Sequence, residues 1–125
     1  MVVLDTCAII EACKTSPTFS KKTIKQIEAG AYLLSISFAE IACKIKLGKL
    51  EMNIPARALY NEYRQIENIQ MIDLGVDEWL DSIELLWPDN KDPADRIITA
   101  FAAKKQLSIV TTDQKIKLFY KKIMW

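Results

Sequence analysis

The sequence predicts an α/β fold: a three-layer α/β/α sandwich around a parallel sheet of about five strands. Short apolar runs without polar alternation recur along the chain, as strands covered on both faces require. Amphipathic stretches of helical length separate them. Strands joined by helical crossovers are parallel, and the crossovers are right-handed.

The first strand is Val2 to Asp5, two β-branched residues and Leu4 running into a carboxylate. A short helix follows over about Cys7 to Cys13, and Thr15-Ser16-Pro17-Thr18 breaks it. The next helix spans about Phe19 to Ala29. Ile24 and Ile27 form its inner face, and Gly30 is its stop. Tyr32 to Ile36 is the second strand. Ser37 opens a helix carried by Ile41, Ile45 and Leu47 to Gly48. Pro55 at the first helical position starts another, on Leu59, Tyr63 and Ile66, running to about Glu67. Ile69 to Leu74 is the third strand. Val76 to Leu86 is amphipathic, with Trp79, Leu80, Ile83 and Leu86 as its stripe. After the polar break Trp87 to Lys91, Asp92-Pro93 begins a helix through Ile97, Ile98, Phe101 and Ala102 that ends near Lys105. Leu107 to Thr111 is the fourth strand, Gln114 to Tyr120 a short helix, and Ile123 to Trp125 an edge strand.

The 125 residues fit one domain, 1–125, able to bury a real core. Half the residues are hydrophobic and the net charge is +1, so bulk charge argues for neither nucleic acid nor membrane. Cys7, Cys13 and Cys43 are odd in number and lack a C-x-x-C spacing. With no signal peptide ahead of the first strand, they read as free thiols in a reducing cytoplasm. No apolar run nears the ~20 residues of a membrane helix. The chain has no histidine, which excludes His triads, His acid–base schemes and His-containing zinc sites.

The chemistry lies in the acids. Asp5, Glu40, the pair Asp92 and Asp95, and Asp113 each fall at a strand end or a helix start. Open parallel sheets bind ligands outside their C-terminal strand ends, where the strand order reverses. Carboxylates crowded there without a cation would drive a pKa up, and Mg²⁺ or Mn²⁺ removes that conflict with hard oxygen ligands. Each acid also has a purely structural reading as a helix cap. Asp5 and Asp113 precede helices, Ser37-x-x-Glu40 has capping-box spacing, and Asp92 before Pro93 places Asp95 at the third helical position. Capping does not require the acids to meet in space; a metal site does. Thr6, Thr111 and Thr112 stand beside these acids, able either to hold a carboxylate or simply to end a strand. Arg96 reads as a partner for carboxylate or phosphate, or as an ordinary ion pair. Cys7 reads as packing, and Trp79 and Trp87 as core or interface.

These residues resemble a known family. Leu4-Asp5-Thr6, Ser37 through Lys44 with Leu47-Gly48-Lys49-Leu50, Asp92-Pro93-Ala94-Asp95-Arg96-Ile97-Ile98, Val110-Thr111-Thr112-Asp113 and the closing Trp125 together resemble the PIN domain, specifically VapC-type toxin ribonucleases. The resemblance implies strand order 3-2-1-4-5 and a Mg²⁺- or Mn²⁺-binding acidic pocket. It implies that Asp5, Glu40, Asp95 and Asp113 are catalytic, with Asp92 an additional acid. It also implies RNA cleavage, a homodimer and a cognate antitoxin. Asn90 stands where relatives often carry His, and Ala94 where an aromatic is common. The other readings are an aspartyl phosphatase or receiver domain, with Asp73 as a loose acceptor match, and a non-catalytic interaction module. In the phosphatase pattern a second Asp would stand where Cys7 does.

Overall fold

Val2, Val3 and Leu4 are each at most 2% exposed, as a central strand covered on both faces must be. They form β1 (Val2–Leu4) in a computed structural model that describes residues 1–125. The chain continues through α1 (Thr6–Ala12), α2 (Lys21–Ala29), β2 (Ala31–Leu34), α3 (Ile36–Lys46), α4 (Ala56–Tyr63) and β3 (Ile69–Ile72). It then forms α5 (Val76–Glu84), α6 (Pro93–Lys105), β4 (Ser108–Val110), α7 (Gln114–Phe119) and β5 (Ile123–Met124). The five strands are ordered β3-β2-β1-β4-β5, and every pairing is parallel. Val3 lies opposite Tyr32 on one side and Ile109 on the other. The chain thus builds outward from β1 to β3, then returns to β4 on the opposite side. The switch of direction falls between β1 and β4.

Successive strand residues face opposite sides of a sheet, so β1 feeds two cores. Val2 and Leu4 pack with Ala8, Ile9, Phe38, Ile41 and Leu59 of α1, α3 and α4. Val3 packs with Ile97, Ile98, Ala102 and Ile116 of α6 and α7. Burying each large aliphatic side chain contributes about 1.5–3 kcal/mol. Trp87 is buried and stacks on Phe119 at 4.5 Å. Trp125 meets Phe19 edge-on and donates its ring N–H to the Thr18 hydroxyl. No helix is long and apolar enough to cross a membrane.

Several local expectations are corrected. The stripe on α5 is not core: Trp79, Leu80 and Ile83 are 45, 55 and 75% exposed, and Leu86 just beyond is 89% exposed. α5 instead packs on α6 through the opposite side, where Ser82 is buried. In α2, Ile24 is exposed, whereas Ile27 packs on the core as expected and Thr23, one turn before it, is buried, so the inward face runs through Thr23 and Ile27. Leu47 is exposed beyond the end of α3. Ser37 does not cap α3. The helix begins one residue earlier behind Ser35, and Ser37 is wholly buried within it. Pro55 is the N-cap of α4 rather than its first residue, and that helix stops at Tyr63.

Candidate active site

Asp5 and Asp113 lie just past β1 and β4 at the starts of α1 and α7, Asp92 and Asp95 at the start of α6, while Glu40 lies in the second turn of α3 rather than at its start. The Asp5 backbone N–H still donates to the Val110 carbonyl, continuing the β1–β4 ladder by one residue. The chain then turns into α1, with Asp5 as N-cap and its Oδ1 accepting from Thr6 N–H at 2.7 Å. Asp5 Oδ2 faces β4 and accepts from the Thr111 hydroxyl at 2.6 Å and the Cys7 thiol at 3.5 Å. Asp113 caps α7, accepting from Ile116 N–H, and its own N–H donates to the Thr111 oxygen.

Glu40 lies on α3 and accepts from the Thr6 hydroxyl at 2.9 Å. The Thr6 and Ser37 hydroxyl oxygens are 3.0 Å apart. Thr6 has one hydroxyl proton; with that proton given to Glu40, Ser37 must donate to Thr6. The buried Ser37 that fails as a cap is therefore a support for the Thr6–Glu40 contact. Asp92 caps α6 by accepting from Asp95 N–H at 3.0 Å, and Asp95 Oδ2 accepts from the Asn90 side chain at 2.9 Å.

Asp5, Glu40, Asp95 and Asp113 line one cavity of about 160 Å³, together with Thr6, Cys7, Thr112 and Lys44. Asp92 does not line it, but its charge acts on both Glu40 and Asp95. Larger, more apolar grooves lie elsewhere, one of about 530 Å³ beside α1 and α4. Charge, not size, distinguishes the small one: four carboxylates face a single cation, Lys44. Three of the four are pushed up in pKa. Burial raises Asp5, the Thr111, Thr6 and Cys7 hydrogen bonds oppose it, and Asp113 adds to it. Burial also raises Glu40, with Asp92 and Asp5 adding to the effect and Thr6 and Lys44 opposing it. Asp95 reaches about 6, through burial first and then the charges of Asp92, Asp113 and Asp5, against the Asn90 hydrogen bond. Burial and the Asp5 charge raise the Cys7 thiol as well, so it stays protonated as a donor.

No three acidic or cysteine side chains converge tightly enough to form a finished coordination shell. The donors are nonetheless hard oxygens with excess negative charge. Mg²⁺ keeps several waters and takes only one or two protein carboxylates directly, so this set fits such an ion without a closed cage.

Two expectations change here. Arg96 touches no carboxylate; it donates to the carbonyls of Ser82, Leu85, Trp87 and Asn90. Cys7 is not simple packing but part of the cavity wall. Lys44 lines the cavity and Asn90 bonds Asp95, and neither is among the expected site residues. Lys44 comes one helical turn after Glu40, and that spacing is the only signal the sequence held for it. Asp73 lies outside the cavity, bound by the Tyr60 hydroxyl and by Arg64 at 3.1 Å.

The family model of the PIN domain matches residues 2–122. The chain belongs to the PIN domain family. None of the curated proteins matches it in sequence. Among solved structures, this PIN domain is similar to Mycobacterium tuberculosis VapC20, described as a sarcin–ricin loop cleaving toxin, at 11% identity and TM-score 0.68 over 100% of both chains. It is similar to a chain of a toxin–antitoxin complex from Klebsiella pneumoniae, at 16% identity and TM-score 0.63 over 100% of this chain and 97% of that one. It is also similar to a chain of FitAcB from Neisseria gonorrhoeae, at 17% identity and TM-score 0.62 over the same shares. At these identities the likeness shows the PIN fold alone.

Proposed function

We propose that this PIN domain, acting as one unit over residues 1–125, is a metal-dependent endoribonuclease and the toxin of a toxin–antitoxin pair. The observation that carries the reading is the meeting of four carboxylates from distant stretches in one small cavity where the sheet order switches. Solved structures of similar fold that are described as toxins, or as toxin–antitoxin complexes, support the biological side.

Asp5, Glu40, Asp95 and Asp113 hold Mg²⁺ or Mn²⁺, with Asp92 adding negative charge from the rim. Bound there, the ion supplies a water of lowered pKa and neutralises charge on the attacked phosphodiester. The residues around it do the rest. Thr111 and Thr6 hold Asp5 and Glu40 in fixed orientations, while Thr112 and Cys7 complete the wall. Lys44 offers the cavity's one positive charge to a phosphate. With no histidine in the chain, proton removal falls to a carboxylate or to the metal's own water. Hydrolysis leaves 5′-phosphate and 3′-hydroxyl ends. The partners are RNA, a cognate antitoxin and a second copy of the chain, in the cytoplasm.

The test is RNA cleavage in Mn²⁺ by wild type and Asp5→Asn. Asparagine keeps the cap oxygen but not the charge, so the fold survives and cleavage is lost. Undiminished cleavage by the variant overturns the assignment.

A further inference from the structure

We propose that Asn90 is a positioning residue for Asp95, and that Arg96 sets Asn90 by fixing the loop between α5 and α6. The inference rests on the nuclease reading above, because Asp95 is given work to do there.

Asn90 is 2% exposed, and both ends of its amide are committed. Its Nδ2 donates to Asp95 Oδ2 at 2.9 Å, and its Oδ1 accepts from Asp92 N–H at 2.9 Å. Only one orientation of the amide satisfies both contacts. Asp95 N–H donates back to Asp92 Oδ1, so the three residues form a closed ring of hydrogen bonds. That ring fixes Oδ2 of Asp95, a residue that lines the cavity.

The ring is anchored from behind. The Asn90 carbonyl accepts from Arg96 at 2.9 Å, and the same guanidinium spans the carbonyls of Ser82, Leu85 and Trp87. One planar fork thus gathers the end of α5 and the loop after it onto α6. Lysine cannot reproduce that geometry, having a single ammonium in place of five directed N–H groups. Arg96 forms none of the chain's three ion pairs, so its charge is spent on backbone dipoles. Partners that orient a metal ligand typically govern affinity by about ten- to a hundredfold.

The experiment is Mn²⁺ titration by calorimetry, with the thermal midpoint of the metal-free protein recorded alongside. Asn90→Ala and Arg96→Lys should each weaken Mn²⁺ binding by about ten- to a hundredfold. The double variant should bind no more weakly than the worse single, since both act through one amide. Asn68→Ala is the control. It removes amide bonds to the Ile27 and Glu28 carbonyls, away from the acids, and should keep wild-type affinity whatever it does to the midpoint. Wild-type affinity in Asn90→Ala, or losses equal to those of Asn68→Ala, overturns the proposal. Fully additive losses overturn the part given to Arg96. If the wild-type protein takes up no Mn²⁺, the nuclease reading itself falls, and this inference with it.

Discussion

The hydroxyl of Thr111, just past β4, donates to the carboxylate of Asp5, just past β1, at 2.6 Å. Its oxygen also accepts from Asp113 N–H at 3.0 Å. One wholly buried side chain therefore ties together two acids 108 positions apart in the chain. Thr111→Val keeps the shape and removes both contacts. A hydrogen bond to a charged group contributes about 1.5–3 kcal/mol, so urea unfolding should show a loss of that order. An unchanged midpoint would mean that the hydroxyl does not hold Asp5.

The metal-free protein should become more stable as pH falls from 7 towards 5. Asp95 has an ordinary value of 3.8 but sits at about 6 in the folded chain. The folded state then binds the proton first, and stability falls as pH rises through that window. Asp5 and Glu40, also raised, act with the same sign. Glu11 acts with the opposite sign. Lys14 holds its carboxyl below the ordinary 4.5, so its contribution is lost at lower pH. Thermal melts in chelator across pH 4 to 8 should show the rise, and Asp95→Asn should flatten it. A melting point that climbs steadily with pH would contradict the shifts.

Lys44→Met should tighten Mn²⁺ and weaken RNA. The cation shares the cavity with four carboxylates and lowers Glu40. At a separation of several ångströms in a water-like medium, one unit charge is worth on the order of 1 kcal/mol, or a few-fold in affinity. Calorimetry for Mn²⁺ and fluorescence anisotropy with a labelled RNA should move in opposite directions.

Ile83→Glu, the more polar change, should cost less stability than Ile98→Ala. Ile83 is 75% exposed and Ile98 is wholly buried. The first should leave the unfolding free energy within about 0.5 kcal/mol. The second opens a cavity costing about 2–5 kcal/mol. Urea titrations of the two variants separate a solvent-facing stripe from a packed one.

Thr99→Val should stabilise the chain. Thr99 lies inside α6 with its hydroxyl buried and unpartnered. An orphaned buried polar group costs about 1–3 kcal/mol, and valine keeps the volume without it. A lower urea midpoint would show that the hydroxyl has a partner.

The architecture was legible because short, β-branched apolar runs such as Val2 to Leu4 alternate with amphipathic stretches of helical length, the pattern of a sheet covered on both faces. The meeting of Asp5 and Asp113 depended on strands one and four being neighbours, an order that only the family resemblance supplied and that the sheet has. The α5 stripe shows where such reasoning stops. Periodicity identifies a helix and its apolar side, but not what meets that side. Here α6 packs on the other side, around Ser82. Arg96 failed for a related reason. An arginine beside an aspartate suggests an ion pair, whereas the clustered carbonyls that claim it exist only once the loop has closed. Ser37 and Asn90 were opaque because their partners, Thr6 and Asp95, are set by tertiary contact rather than by capping geometry.

Asp5, Asp92 and Asp113 each cap a helix as well as contributing charge in or beside the cavity. Asparagine, serine or threonine would keep the cap at little cost, whereas alanine would forfeit about 1 kcal/mol at each helix. Paralogues that have abandoned the chemistry should therefore drift at positions 5, 92 and 113 towards short polar residues, not towards aliphatic ones. On the proposed nuclease reading, copies that lose the activity can stay well folded, because the replacements that remove the charge keep a capping oxygen.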